Sequence, residues 1–142
     1  MGNRIPVTVT VESRQTGGDE STVRQQKCRG YLVSGQTVSL TYREESEEGE
    51  KSYTTLTREG EGIRLHRTGA LQLDAYLAPG QSTRCVWGVP PYSFDLELCC
   101  HVAEMTLSPT GGRVLLDYDR LLAGDKARLT LDIRVAREEV SE

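Results

Sequence analysis

The sequence predicts an all-β chain folded as a single closed antiparallel up-and-down β-barrel of about eight to ten strands. Two observations carry this. First, turn signals recur at short intervals through the 142 residues: Gly17-Gly18, Ser34-Gly35, Glu44–Glu50, Glu59–Gly62, Gly69, Pro79-Gly80, Gly88–Pro91, Pro109–Gly112 and Gly124-Asp125. Second, the runs between them are rich in Val, Thr, Leu and Tyr and place apolar residues at every second position, the period of a strand with one buried face. Such alternation belongs to antiparallel sheet, because parallel strands buried on both faces read as continuous apolar runs. Short turns between consecutive strands make a meander the simplest topology, and closing it removes the unpaired edges.

In chain order, Val7, Val9 and Val11 alternate with Thr8, Thr10 and Glu12 in a first strand. A long second strand leads to Gly30-Tyr31, and its basic residues Arg24, Lys27 and Arg29 fall on both faces. Val38, Leu40 and Tyr42 alternate with Ser39, Thr41 and Arg43. Ile63 and Leu65 set the inward phase of a strand that places Arg64 and His66 outward. Phe94, Leu96, Leu98, Cys100 and Val102 alternate with Asp95, Glu97, Cys99 and His101, and Leu129, Leu131, Ile133 and Val135 with Thr130, Asp132 and Arg134. The stretch Leu121–Lys126 and the tail after Ala136 have room for one helical turn at most. The whole chain, 1–142, reads as one barrel domain with a core over about 5–137 and a short flexible C-terminal tail.

Several motifs resemble one family. Arg67-Thr68-Gly69 followed by Leu71-x-Leu73 is similar to the R-(S/T)-G turn and strand of the YwiB-like bacterial proteins. Val89-Pro90-Pro91-Tyr92-x-Phe94-x-Leu96-x-Leu98 is similar to their T-P-Y/F-G-x-F-x-L-x-V segment, with Pro91-Tyr92-Ser93 where the family carries its Gly. Gly30-Tyr31, Gly112-Arg113-Val114-x-Leu116-x-Tyr118 and Leu129–Val135 fit the same pattern, so the likeness runs from about Ile5 to Arg137. The resemblance implies a calycin-like, lipocalin-like closed barrel and implies no activity. The Gly-x-Trp signature of lipocalins is absent from the first strand, and the sole Trp is Trp87.

Composition narrows the function classes. The charge is −4, which disfavours nucleic acid and anionic membrane as partners, since both demand an excess of Lys and Arg. No apolar run approaches the roughly 18 residues of a membrane helix, and no signal-peptide core is visible, so a cytoplasmic protein is expected. Cys28, Cys85, Cys99 and Cys100 lack paired zinc-ligand spacing and read as reduced thiols filling apolar space. Cys99, His101 and Glu97 share a face and could supply part of a metal site, but no second ligand pair accompanies them. No Gly-x-Ser-x-Gly elbow, phosphate loop or calcium loop occurs, so neither a catalytic residue nor a cofactor is expected. A homo-oligomer is compatible with the sequence.

One side chain stands apart. The phase of Ile63 and Leu65 carries Arg67 to the inner face, and Gly69 beside it places it near a turn, hence at the barrel's open end. Tyr42 and Tyr118 are inward by phase and are its expected partners, with outward Glu97 the weakest. Two readings stay open: an arginine that caps the core, or an anchor for a carboxylate or phosphate above an apolar lumen. The corresponding functions are a barrel that binds a small apolar or amphipathic ligand, and a solid barrel that acts through its outer surface or self-association. A small hydrolase is the third.

Overall fold

The computed structural model describes residues 3–34, 37–46 and 48–138. Ten strands follow one another: β1 (Asn3–Gly17), β2 (Glu20–Ser34), β3 (Ser39–Glu45), β4 (Lys51–Glu59), β5 (Gly62–Gly69), β6 (Leu73–Leu77), β7 (Ser82–Val89), β8 (Tyr92–Ser108), β9 (Gly111–Leu122) and β10 (Asp125–Arg137). All pair antiparallel in one sheet whose order is β6-β5-β4-β3-β2-β1-β10-β9-β8-β7, so every chain neighbour except the β6–β7 pair is a ladder neighbour. The two ends of the sheet meet where β6 lies against β7. There the isolated bridge Gln72–Gly88 closes the barrel with reciprocal N–H···O bonds of 2.8 Å. The all-β barrel expected from alternation is the fold observed.

Register makes the alternation structural. Val7, Val9 and Val11 of β1 stand opposite Gly30, Cys28 and Gln26 of β2, and opposite Arg137, Val135 and Ile133 of β10. The lumen is filled by Leu32, Leu40, Leu56, Leu65, Leu77, Leu98, Leu116 and Ile133, each at most 1% exposed. A sheet of this size holds either side chains or one small ligand, and along most of this axis it holds side chains.

Two local expectations change. Val102 does not continue the inward series, because a β-bulge between Cys100 and Val102 inserts one residue and flips the phase. Cys100 is buried before the bulge and Ala103 and Met105 after it. Leu121–Lys126 forms no helical turn: it holds the ends of β9 and β10 around a tight turn in which Ala123 has φ 49°. Ala136 and Arg137 are likewise strand. Gly35 of one expected turn, and the tail from residue 139 on, lie outside the described residues.

Gly30 shows how tightly β2 and β3 approach. A Cβ there would collide with the Thr41 carbonyl oxygen and press on Tyr42. Removing core volume carries a different cost. Leu40→Ala is expected to destabilise the fold by about 2–5 kcal/mol in urea unfolding, whereas Val23→Ala, at a side chain 55% exposed, should stay within about 0.5 kcal/mol.

Candidate functional site

The odd-numbered strands run toward one end of the barrel and the even-numbered strands start there. Inward positions at that end break the apolar pattern. Across the inner face, Gly30, Tyr42, Thr54, Arg67 and Leu73 stand side by side on β2 to β6. Glycine at position 30 leaves room for the Tyr42 ring, which is 1% exposed. Thr54 is fully buried, and its hydroxyl accepts a 3.1 Å bond from Arg67 Nε. Arg67 Nη2 lies 3.8 Å from the Glu44 carboxylate. Arg64 and His66 face outward, toward Glu59 and Asp74.

Glu44 serves a second neighbour. Gln26, with its amide oriented to satisfy both sides, donates to Glu44 at 3.0 Å and accepts from Arg24. Arg24 and Arg67, with the carboxylates Glu44, Glu45 and Glu50 and the polar Gln26 and Ser52, line a cavity of 170 Å³ at the mouth, with Leu71 and Val89 on its apolar side. That is less than the roughly 300 Å³ at which pockets for whole small molecules begin.

Burial raises the Tyr42 hydroxyl far above its ordinary 10, with Glu44 adding to the effect and Arg67 opposing it. Tyr118 is raised too, again by burial, and there both Arg67 and Arg120 oppose it. Register sets Tyr42 and Arg67 on either side of Thr54, Tyr118 comes from β9, and Arg67 favours the ionised form of both tyrosines against the larger effect of burial. Glu97 is not among them; it pairs with Arg84 and Leu121 positions on the outer face.

Sequence reasoning missed Arg120. It stands opposite Leu98 of β8 and Ala127 of β10, both buried, so it shares their inner face. Its guanidinium sits 5.8 Å from the Trp87 ring centroid. Its Nε is buried without a hydrogen-bond partner, the one such side-chain atom among the described residues. An unpaired buried donor costs about 1–3 kcal/mol. The signal was present: Leu116, Tyr118 and Arg120 are two residues apart on one strand. Trp87 and Phe94, opposite each other with ring centroids 5.8 Å apart, continue the inner phase of Cys85 and Leu96 toward the rim. Phe94, expected inside, is 41% exposed there.

The other sequence candidates sit elsewhere. All four cysteines are unpaired. Cys99 lies on the outer face opposite Asp119, its sulfur 3.2 Å from Ser82 Oγ. His101 Nε2 binds the Asp119 carboxylate at 2.8 Å, which helps hold that carboxyl below its ordinary 3.8. Among the described residues no three His, Cys, Asp or Glu side chains converge as a metal site, and no helix is long and apolar enough to cross a membrane.

Fold and site define a meander β-barrel with a packed lumen and a polar, arginine-bearing mouth. The family model "Domain of unknown function (DUF1934)" matches residues 7–133, and the chain belongs to that family. The crystal structure of ywiB protein from Bacillus subtilis is similar in fold, with a TM-score of 0.80 over 92% of each chain at 22% identity. The resemblance read from the motifs holds. No curated protein matches the chain.

The tyrosines provide a direct test of the mouth. The chain has six. Ultraviolet titration should show Tyr42 and Tyr118 still protonated above pH 10, the ordinary value for a tyrosine hydroxyl. The unfolded chain releases those two protons near 10 and the folded one only above it, so stability should fall as pH rises past 10. Ionisation of Tyr42 and Tyr118 at the ordinary value while the fold persists would contradict this arrangement.

Proposed function

We propose that this protein is a non-catalytic binder of a small amphipathic ligand, whose carboxylate or phosphate head enters the mouth and is anchored by Arg67 beside Tyr42 and Tyr118. The observation that carries this reading is the placement of Arg67. Its guanidinium is largely sheltered, its Nε is fixed by a buried threonine, its Nη2 lies 3.8 Å from Glu44, and it lines the small cavity at the mouth together with Arg24. A planar donor fork preset in this way matches carboxylate and phosphate oxygens. The filled lumen supports a ligand held by its head at the mouth over one threaded along the axis. A lipocalin-like kinship fits this use of an open end, and four free thiols fit a reducing, cytoplasmic setting.

A second reading has its own support. Val86, Tyr92 and Phe94 are exposed around the rim, and a packed barrel with an apolar edge suits self-association or a protein partner. Native mass spectrometry of protein from its own host separates the two. Binding predicts a retained anionic small molecule on the monomer, lost in Arg67→Met while the circular dichroism spectrum is kept. A ligand-free dimer that Arg67→Met does not alter would favour the interaction module and overturn the binder.

A further inference from the structure

The net charge of −4 is not spread evenly over the outer wall. Register sets Lys27 and Arg29 of β2 against Thr10 and Thr8 of β1, so both cations point outward beside neutral neighbours. Lys27, Arg29 and Arg137 line an outer groove of 530 Å³ that includes Thr8, with Glu138 as its one carboxylate. Gly30 pairs with Tyr42, which brings Arg43 beside Arg29 where that ladder ends. Arg43 in turn stands opposite Tyr53 of β4, whose side chain is left 45% exposed. Among the described residues none of these four cations has a carboxylate within salt-bridge distance. The nearest outward acids are engaged elsewhere: Glu12 with Arg14, and Asp132 with Arg113 and Arg134. Like charges set side by side destabilise a sheet, so the row is left open to a counter-charge.

We infer that the outer face of β1 to β4 binds single-stranded nucleic acid, with phosphates along Lys27, Arg29, Arg137 and Arg43 and a base stacked on Tyr53. Neighbouring strands lie about 4.8 Å apart, so Tyr53 stands about 10 Å from Arg29 on the same face, with Arg43 between them. A cationic groove that tracks a backbone, with an exposed aromatic ring beside it, supplies both things a single strand needs: charge for its phosphates and a surface for its unpaired bases. A duplex keeps its base faces inside its own stack and has no use for Tyr53. An acidic protein segment would meet the cations and leave the ring idle. The chain-wide charge disfavours nucleic acid only as a sum over every face. Repulsion from distant carboxylates is screened beyond about 8 Å at physiological salt, whereas the groove acts at contact. Glu138 and Glu45, the latter opposite Lys51, bound the patch at its ends. None of these cations lines the mouth cavity, and Tyr53 is absent from it too, so this inference stands or falls independently of the Arg67 anchor.

The test is fluorescence anisotropy of the full chain with a labelled oligothymidylate of about twelve nucleotides, within the span usual for one barrel. An abasic strand of equal length and an oligoglutamate of equal charge serve as comparisons. Affinity should fall with salt along a log–log slope of about −2 to −3, as three or four phosphate contacts require. Lys27→Ala and Arg29→Ala should each make that slope shallower by about 0.7. Neither should move the melting temperature, since both side chains are exposed. Oligothymidylate should bind at least about fivefold tighter than the abasic strand, and Tyr53→Ala should erase that difference. Equal binding of the abasic strand to the parent protein would mean that charge acts alone, and would overturn the proposal without any variant. Displacement of the strand by oligoglutamate at equal concentration would assign the face to an acidic protein segment instead. Absence of binding at physiological salt would remove the site altogether.

Discussion

Closure of the sheet between β6 and β7 is the constraint on which the mouth depends. Nine ladders are continuous, and the tenth contact is carried by the Gln72–Gly88 bridge. Gly88 is buried, and a Cβ on it would sit 3.2 Å from the Gln72 Cβ, so the close approach at the seam favours the smallest residue. Without that closure, β5 and β9 would lie far apart in an open sheet. With it, β5 and β9 belong to one closed wall, and the exposed β6 and β7 edges that would otherwise invite pairing with another chain are consumed.

The barrel sorts its charges by face. Outside, cross-strand arginine–aspartate pairs lie in water, where such pairs stabilise modestly, and their main effect is to hold Asp117 and Asp132 ionised well into acid. Inside, Arg67 is left with neutral or shared partners: a threonine hydroxyl and one carboxylate that also serves Gln26. An inner guanidinium with incomplete partners costs stability in any barrel whose role is only to be solid. That asymmetry separates the mouth from the lumen below it, where leucine and valine leave no polar group to satisfy.

The bulge in β8 has a related consequence. By inserting one residue after Cys100, it lets the first part of the strand serve the mouth and the second part pack Ala103 and Met105 into the opposite end. His101 is the inserted residue, which explains its outward reach to Asp119. A strictly alternating reading carries Val102 inward and goes wrong from that point, because a bulge leaves no mark in a period-two pattern when apolar residues flank it on both phases.

Much of this was legible along the chain. Alternation is local: once Ile63 and Leu65 are inward, Arg67 must be, and Val38 and Leu40 do the same for Tyr42. Turn residues counted the strands, and phase sorted nearly every side chain to a face, because the pleat is a property of each strand alone. What tertiary structure decided is which inward residues meet. Thr54 holds Arg67 because of a β4–β5 register that no single strand encodes, and Gln72 meets Gly88 because the sheet closes after ten strands. Register and closure depend on summed packing across strands far apart in sequence, so the inner face could be read from residues, while the company each residue keeps there was settled only by the closed barrel.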